Sequence, residues 1–111
     1  MIRRAFAAAL LLVPAAAAAD CYPTVDRVQF VLECMKNHEG KYEYLYKCSC
    51  AIDAIAKQMP YDTFVEAANI ARYSGMGGER MGVFRDSDEM RALAKKWKAV
   101  EAEANQACFI E

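Results

Sequence analysis

Two cysteines one residue apart, Cys48 and Cys50, lie within a stretch from Tyr44 to Met59 whose apolar spacing is that of a helix. Each residue of a helix turns the side-chain direction by about 100°, so Cys50 points about 200° away from Cys48. Leu45, Cys48, Ile52, Ile55 and Met59 fall on one side, and Cys50 shares the other with Tyr46, Asp53 and Lys57. Sulfurs that diverge in this way cannot bond each other or meet on one metal ion unless the helix breaks between them. The unbroken run from Ala51 to Ala56 argues against a break. Each sulfur is therefore expected to bind a different neighbour, which makes the pair structural.

The flanking segments supply those neighbours. Pro23-Thr24 opens a first helix with Thr24 placed to cap it. Val28, Val31, Leu32 and Met35 repeat at helical spacing and predict an inward stripe, flanked by Cys34. Gly40 is the natural residue for the left-handed position that ends this helix. The second helix is expected from Lys41 to Met59, stopping at Pro60. A short turn makes the two helices antiparallel, and Cys34 then lies opposite Cys48. Closing so short a loop stabilises the fold by ~3 kcal/mol on the chain-entropy account. For Cys50 the partner expected is Cys108, leaving Cys21 as a free thiol or a link between two chains. A Cys21–Cys108 bond with Cys50 free stays open, because spacing does not fix connectivity.

Thr63 and Glu66 have capping-box spacing at the start of a third helix, Phe64 to Tyr73, and Asp86 and Glu89 repeat it before a fourth. On the fourth helix Met90, Leu93, Ala94, Trp97, Val100, Ala104 and Cys108 share one face. Between them runs Ser74 to Gly82, which holds four of the five glycines. No alternating strand pattern and no repeat occurs after the first 19 residues. The fold class expected is all-α: a small disulfide-stapled bundle of about four helices.

The opening residues are read as a leader. Met1 to Arg4 is basic, Ala5 to Val13 apolar, and Ala17 to Ala19 fits small-residue cleavage, giving a signal peptide at 1–19 and one helical domain at 20–111. The uncharged run from Ala5 to Ala19 is shorter than the ~20 residues a spanning helix needs, so no membrane anchor is expected after cleavage. Asp20 before Cys21 does not suit a lipoprotein site. Arg3-Arg4 has a partial likeness to a twin-arginine signal, but disulfides that form after export favour the unfolded route. The leader holds two of the 14 basic residues and none of the 15 acidic ones, so the remaining chain carries about −3. That balance excludes the basic stripe of a nucleic-acid binder. Roughly 92 residues bury only ~60–65% of their unfolded surface, which makes disulfides in an oxidising periplasm a natural supplement.

No catalytic residue, cofactor or metal set is assigned. His38, the lone histidine, is expected to interact with the end of the first helix. Met76 and Met81 without a nearby histidine are weak copper ligands and are read as gap-fillers. Tyr42, Tyr44 and Tyr46 alternate around the second helix, so at least one faces outward, as a bland amphipathic ring or as a partner patch. The glycine-rich loop is the strongest functional candidate: Gly77, Gly78, Glu79 and Arg80, with Arg85 beyond, present donors and a guanidinium to an anion or a partner. The same glycines serve equally well to reverse the chain.

Several strings together resemble a family of small exported proteins of unknown activity: Val31-Leu32-Glu33-Cys34-Met35, Tyr46 to Asp53, Tyr61-Asp62, Gly77 to Arg80, Phe84-Arg85-Asp86 and Cys108-Phe109-Ile110. The resemblance implies an association with periplasmic quinoprotein (PQQ-dependent) alcohol dehydrogenases and their cytochromes c, and supplies no catalytic residue. The function expected is a non-enzymatic periplasmic accessory or interaction protein, with an oxidoreductase or cytochrome c as partner. The alternatives are a thiol–disulfide redox protein using Cys50 or Cys21, and a binder of a small ligand or metal ion.

Overall fold

Two prolines decide where helices begin. Pro23 has extended backbone (φ −55°, ψ 141°), and its carbonyl accepts the amides of Asp26 and Arg27 at 3.1 Å. Helix α1 therefore spans Thr24–Lys36, with Thr24 inside the first turn and making no side-chain cap. Pro60 acts alike, its carbonyl accepting the Phe64 amide at 2.9 Å, so α3 spans Tyr61–Ser74 and Thr63 also falls inside the helix. Both threonine caps are thus displaced by proline, whose fixed φ suits the first helical turn. Helix α2 spans Glu43–Gln58 and ends where Met59 turns extended before Pro60. Helix α4 spans Asp88–Ala107, preceded by an extended Ser87. This computed structural model describes residues 21–74, 78 and 87–111. The expected leader, the Asp86 cap, Gly77, Glu79, Arg80 and Arg85 lie outside the described residues, among which no strand occurs.

Between α1 and α2 the chain reverses through Glu39 and Gly40, both left-handed (φ 61° and 66°). The Gly40 amide reaches back to the Met35 carbonyl at 2.8 Å, satisfying an orphan group of the helix end. The helices then lie antiparallel, with Cys34 bonded to Cys48 (Cα–Cα 6.0 Å) and Arg27 paired with Asp53 at 2.6 Å. A second disulfide joins Cys50 to Cys108 (Cα–Cα 5.8 Å), while Cys21 is exposed and free. Cys21–Cys108 pairing is therefore not the arrangement adopted.

These contacts set the direction of α4. Phe64 meets Trp97 near the α2–α3 turn, and farther along α4 Cys108 meets Cys50 at the middle of α2, about two turns back from that end. Helix α4 thus runs parallel to α3, unlike the antiparallel neighbours a short turn joins.

The core centres on α2. Cys48, Ile52, Ile55 and Met59 are buried there in one cluster with Trp97, Val100 and Ala104 of α4 and Phe64 and Ala67 of α3. Tyr22, just before α1, is buried as well, and its hydroxyl donates to the Met59 carbonyl at 2.7 Å. The stripe expected on α1 is rotated. Val31 is buried and Met35 half-buried, but Val28 and Leu32 are 51% and 61% exposed. Apolar residues nearly encircle this helix, so spacing alone matches two faces. The Cys34–Cys48 bond chooses the face carrying Phe30, Val31 and Cys34, leaving Val25, Val28 and Leu32 outside. Among the described residues no helix is long and apolar enough to cross a membrane.

Candidate functional site

Helices α1 and α3 face each other without the close packing of α1 on α2 or of α3 on α4. They are joined at two levels by side-chain contacts. Near the bottom the Tyr61 hydroxyl donates to the Asp26 carboxylate, a bond that raises the phenol pKa above its usual range. Near the top Arg72 reaches Glu33 at 3.3 Å, and Gln29 donates to the same carboxylate at 3.1 Å. Between these bridges lies a cleft of about 350 Å³.

Three helices supply its walls at helical intervals. Helix α1 contributes Phe30 between Asp26 and Glu33, and α3 contributes Phe64, Ala68 and Arg72. On α4, Trp97, Glu101 and Asn105 follow at i, i+4 and i+8, which stacks them along one face. The floor is aromatic: Phe64 packs edge-on against Trp97 with ring centres 5.6 Å apart, backed by Tyr22 at 4.8 Å. Glu101 is half-buried beside this floor and makes no hydrogen bond or ion pair with the described residues. Burial pushes its carboxyl above the ordinary value of 4.5, because the charged form loses water and gains no partner.

His38 lines the upper end of the cleft. Its ring lies flat on Tyr44, with centres 4.1 Å apart and planes 7° off parallel. The expected interaction with the end of α1 is made by its backbone amide, which donates to Met35, whereas the imidazole is held by the neighbouring aromatic. Lys47 caps the Tyr44 ring, its amine 4.7 Å from the centre. Tyr42 and Tyr46 face outward, 69% and 66% exposed, in edge contact with each other. The phenols approach to 3.4 Å, and this hydrogen bond raises the Tyr46 pKa.

Of the residues singled out in the sequence, Cys34, Cys48, Cys50 and Cys108 sit in two separate disulfides, with an intact helix between Cys48 and Cys50. The arrangement offers no dithiol pair within α2. Gly78 is exposed with φ 109°, a left-handed conformation suited to glycine. The cleft itself was not singled out by sequence reasoning. Its signal was an acidic residue, Glu101, one turn from Trp97 and beside Val100 on the otherwise apolar stripe of α4. Among the described residues no three His, Cys, Asp or Glu side chains gather as a metal set. No protein-family model matches the chain, and neither a curated protein nor a solved structure does.

Proposed function

We propose that this protein acts by binding, as a non-enzymatic accessory protein of the periplasm, and that its ligand site is the cleft between α1 and α3. The observation that carries this reading is a concave space whose floor is aromatic and whose walls carry charged and amide side chains able to orient a small molecule. Two disulfides around α2 suit an oxidising compartment and hold the walls in place. Trp97 is the only tryptophan, so its fluorescence reports the cleft directly. Titration with fractionated periplasmic small molecules should shift its emission. Ala68→Leu, which fills the cleft from α3, should remove the shift without lowering the melting temperature. An emission that no fraction changes sinks the reading.

A second reading, an interaction protein serving a quinoprotein alcohol dehydrogenase or its cytochrome c, is favoured by the exposed apolar face of α1. Val25, Val28 and Leu32 there are 70%, 51% and 61% exposed. Leu32→Glu should then weaken co-purification with such a partner while leaving the fold intact. Arg80→Ala tests the glycine-rich loop in the same assay, and unchanged co-purification counts against the loop. The redox alternative requires a reactive thiol. A single unreactive thiol, Cys21, in a non-reducing mass-spectrometric count would dismiss it.

A further inference from the structure

We propose that the cleft takes a small organic cation, an amine or quaternary ammonium group attached to an apolar body, an inference that rests on the binding reading above. Charge is the first reason. Among the described residues, Asp26, Glu33 and Glu101 line the space, and Arg72 is its one guanidinium, already engaged by Glu33. The partner of Asp26 is the Tyr61 hydroxyl, a hydrogen-bond donor that brings no cation to that carboxylate. His38 is turned onto Tyr44. Glu101 is left half-buried without a partner among the described residues, and a cation seated beside it would restore the stabilisation lost with its water.

The floor supplies the second reason. Trp97 precedes Glu101 by one turn of α4, so ring and carboxylate are neighbours on one face, with Phe64 and Phe30 beside them. Aromatic rings attract cations through their negative faces, and a carboxylate next to such rings is the usual pairing for ammonium groups. The apolar remainder of the ligand would cover the same rings. A volume of about 350 Å³ restricts that remainder to a small group. The competing occupants fit less well. An anion would meet three carboxylates, and a neutral molecule would leave Glu101 unpartnered. A metal ion would find no group of three His, Cys, Asp or Glu ligands among the described residues.

The test compares phenethylamine and benzyltrimethylammonium with the neutral phenylethanol and the anionic phenylpropionate, on the disulfide-bonded protein. Trp97 fluorescence and calorimetry are the readouts. The two cations should bind about tenfold more tightly than the alcohol, and the acid should not bind. Glu101→Gln should remove about that tenfold preference, whereas Arg72→Gln, which deletes the competing guanidinium, should strengthen cation binding. Circular dichroism of both variants checks that the helices persist. If the alcohol binds as well as the amine and Glu101→Gln changes neither, the cation assignment is overturned while the binding reading stands. If none of the four probes binds, the assignment is again overturned, and the titration with periplasmic fractions decides the binding reading by itself.

Discussion

The two flanks of α1 are secured by different chemistry. Towards α2 it is bonded through Cys34–Cys48 over a buried face where Cys48, Ile52 and Ile55 are no more than 2% exposed. Towards α3 it is joined by the Tyr61–Asp26 hydrogen bond and by an Arg72–Glu33 pair whose side chains are 47% and 56% exposed. Dry apolar contact and covalent closure stabilise by kilocalories, whereas an exposed ion pair contributes ~0–1 kcal/mol. The comparison teaches where this molecule keeps its stability and where it can afford an opening. The α2 side is scaffold, and the α3 side can open or fill with little loss of the fold.

The strongest attempt to break that contrast is to cut the second staple. Cys50 and Cys108 are 58 residues apart, and the chain-entropy account assigns such a loop ~4 kcal/mol. Replacing both with serine should lower the urea midpoint accordingly, and a loss below ~1 kcal/mol would show that the scaffold does not depend on its sulfurs. Truncating Ile55, fully buried on α2, to alanine should cost ~2–5 kcal/mol through lost contact and the cavity left behind. Val65→Ala, on the half-buried cleft wall, should cost much less in the same denaturation series.

The cleft side is sharpened by smaller effects. A double-mutant cycle on Glu33 and Arg72 should return a coupling of at most ~1 kcal/mol, reduced further by salt. A coupling of several kilocalories would make the bridge a structural fixture and erase the distinction between the flanks. The smallest change expected is a gain. Burial raises the Glu101 pKa, so the folded protein holds that proton more tightly than the unfolded chain, and stability falls as pH rises through the folded value. Glu101→Gln should therefore raise the melting temperature slightly at neutral pH, by ~0.5 kcal/mol or less in stability. The difference should close as pH falls below the ordinary carboxyl value of 4.5. An unliganded protein stabilised by a change that weakens cation binding is what a carboxylate kept for a ligand would produce.

The fold was more legible than the site. Helix α2 could be read closely because its polar and apolar residues separate cleanly, so the side holding Cys48, Ile52, Ile55 and Met59 had only one way to turn. Helix α1 was misread in rotation because Val25, Val28 and Leu32 match helical spacing as well as the face that is buried. The threonine caps were misplaced because proline carbonyls already receive the first amides. The cleft drew no notice because its parts come from three helices, each of which places only a few residues there. Glu101 on an apolar stripe was the one local trace.

By itself the sequence determined that the described residues would form four helices and that Cys48 and Cys50 would part company, since both follow from the turn per residue of a single helix. Only the tertiary structure decided that α4 lies parallel to α3, which face of α1 meets solvent, and that a cleft opens between α1 and α3. Those outcomes depend on distances between residues far apart in the chain, which no local periodicity encodes.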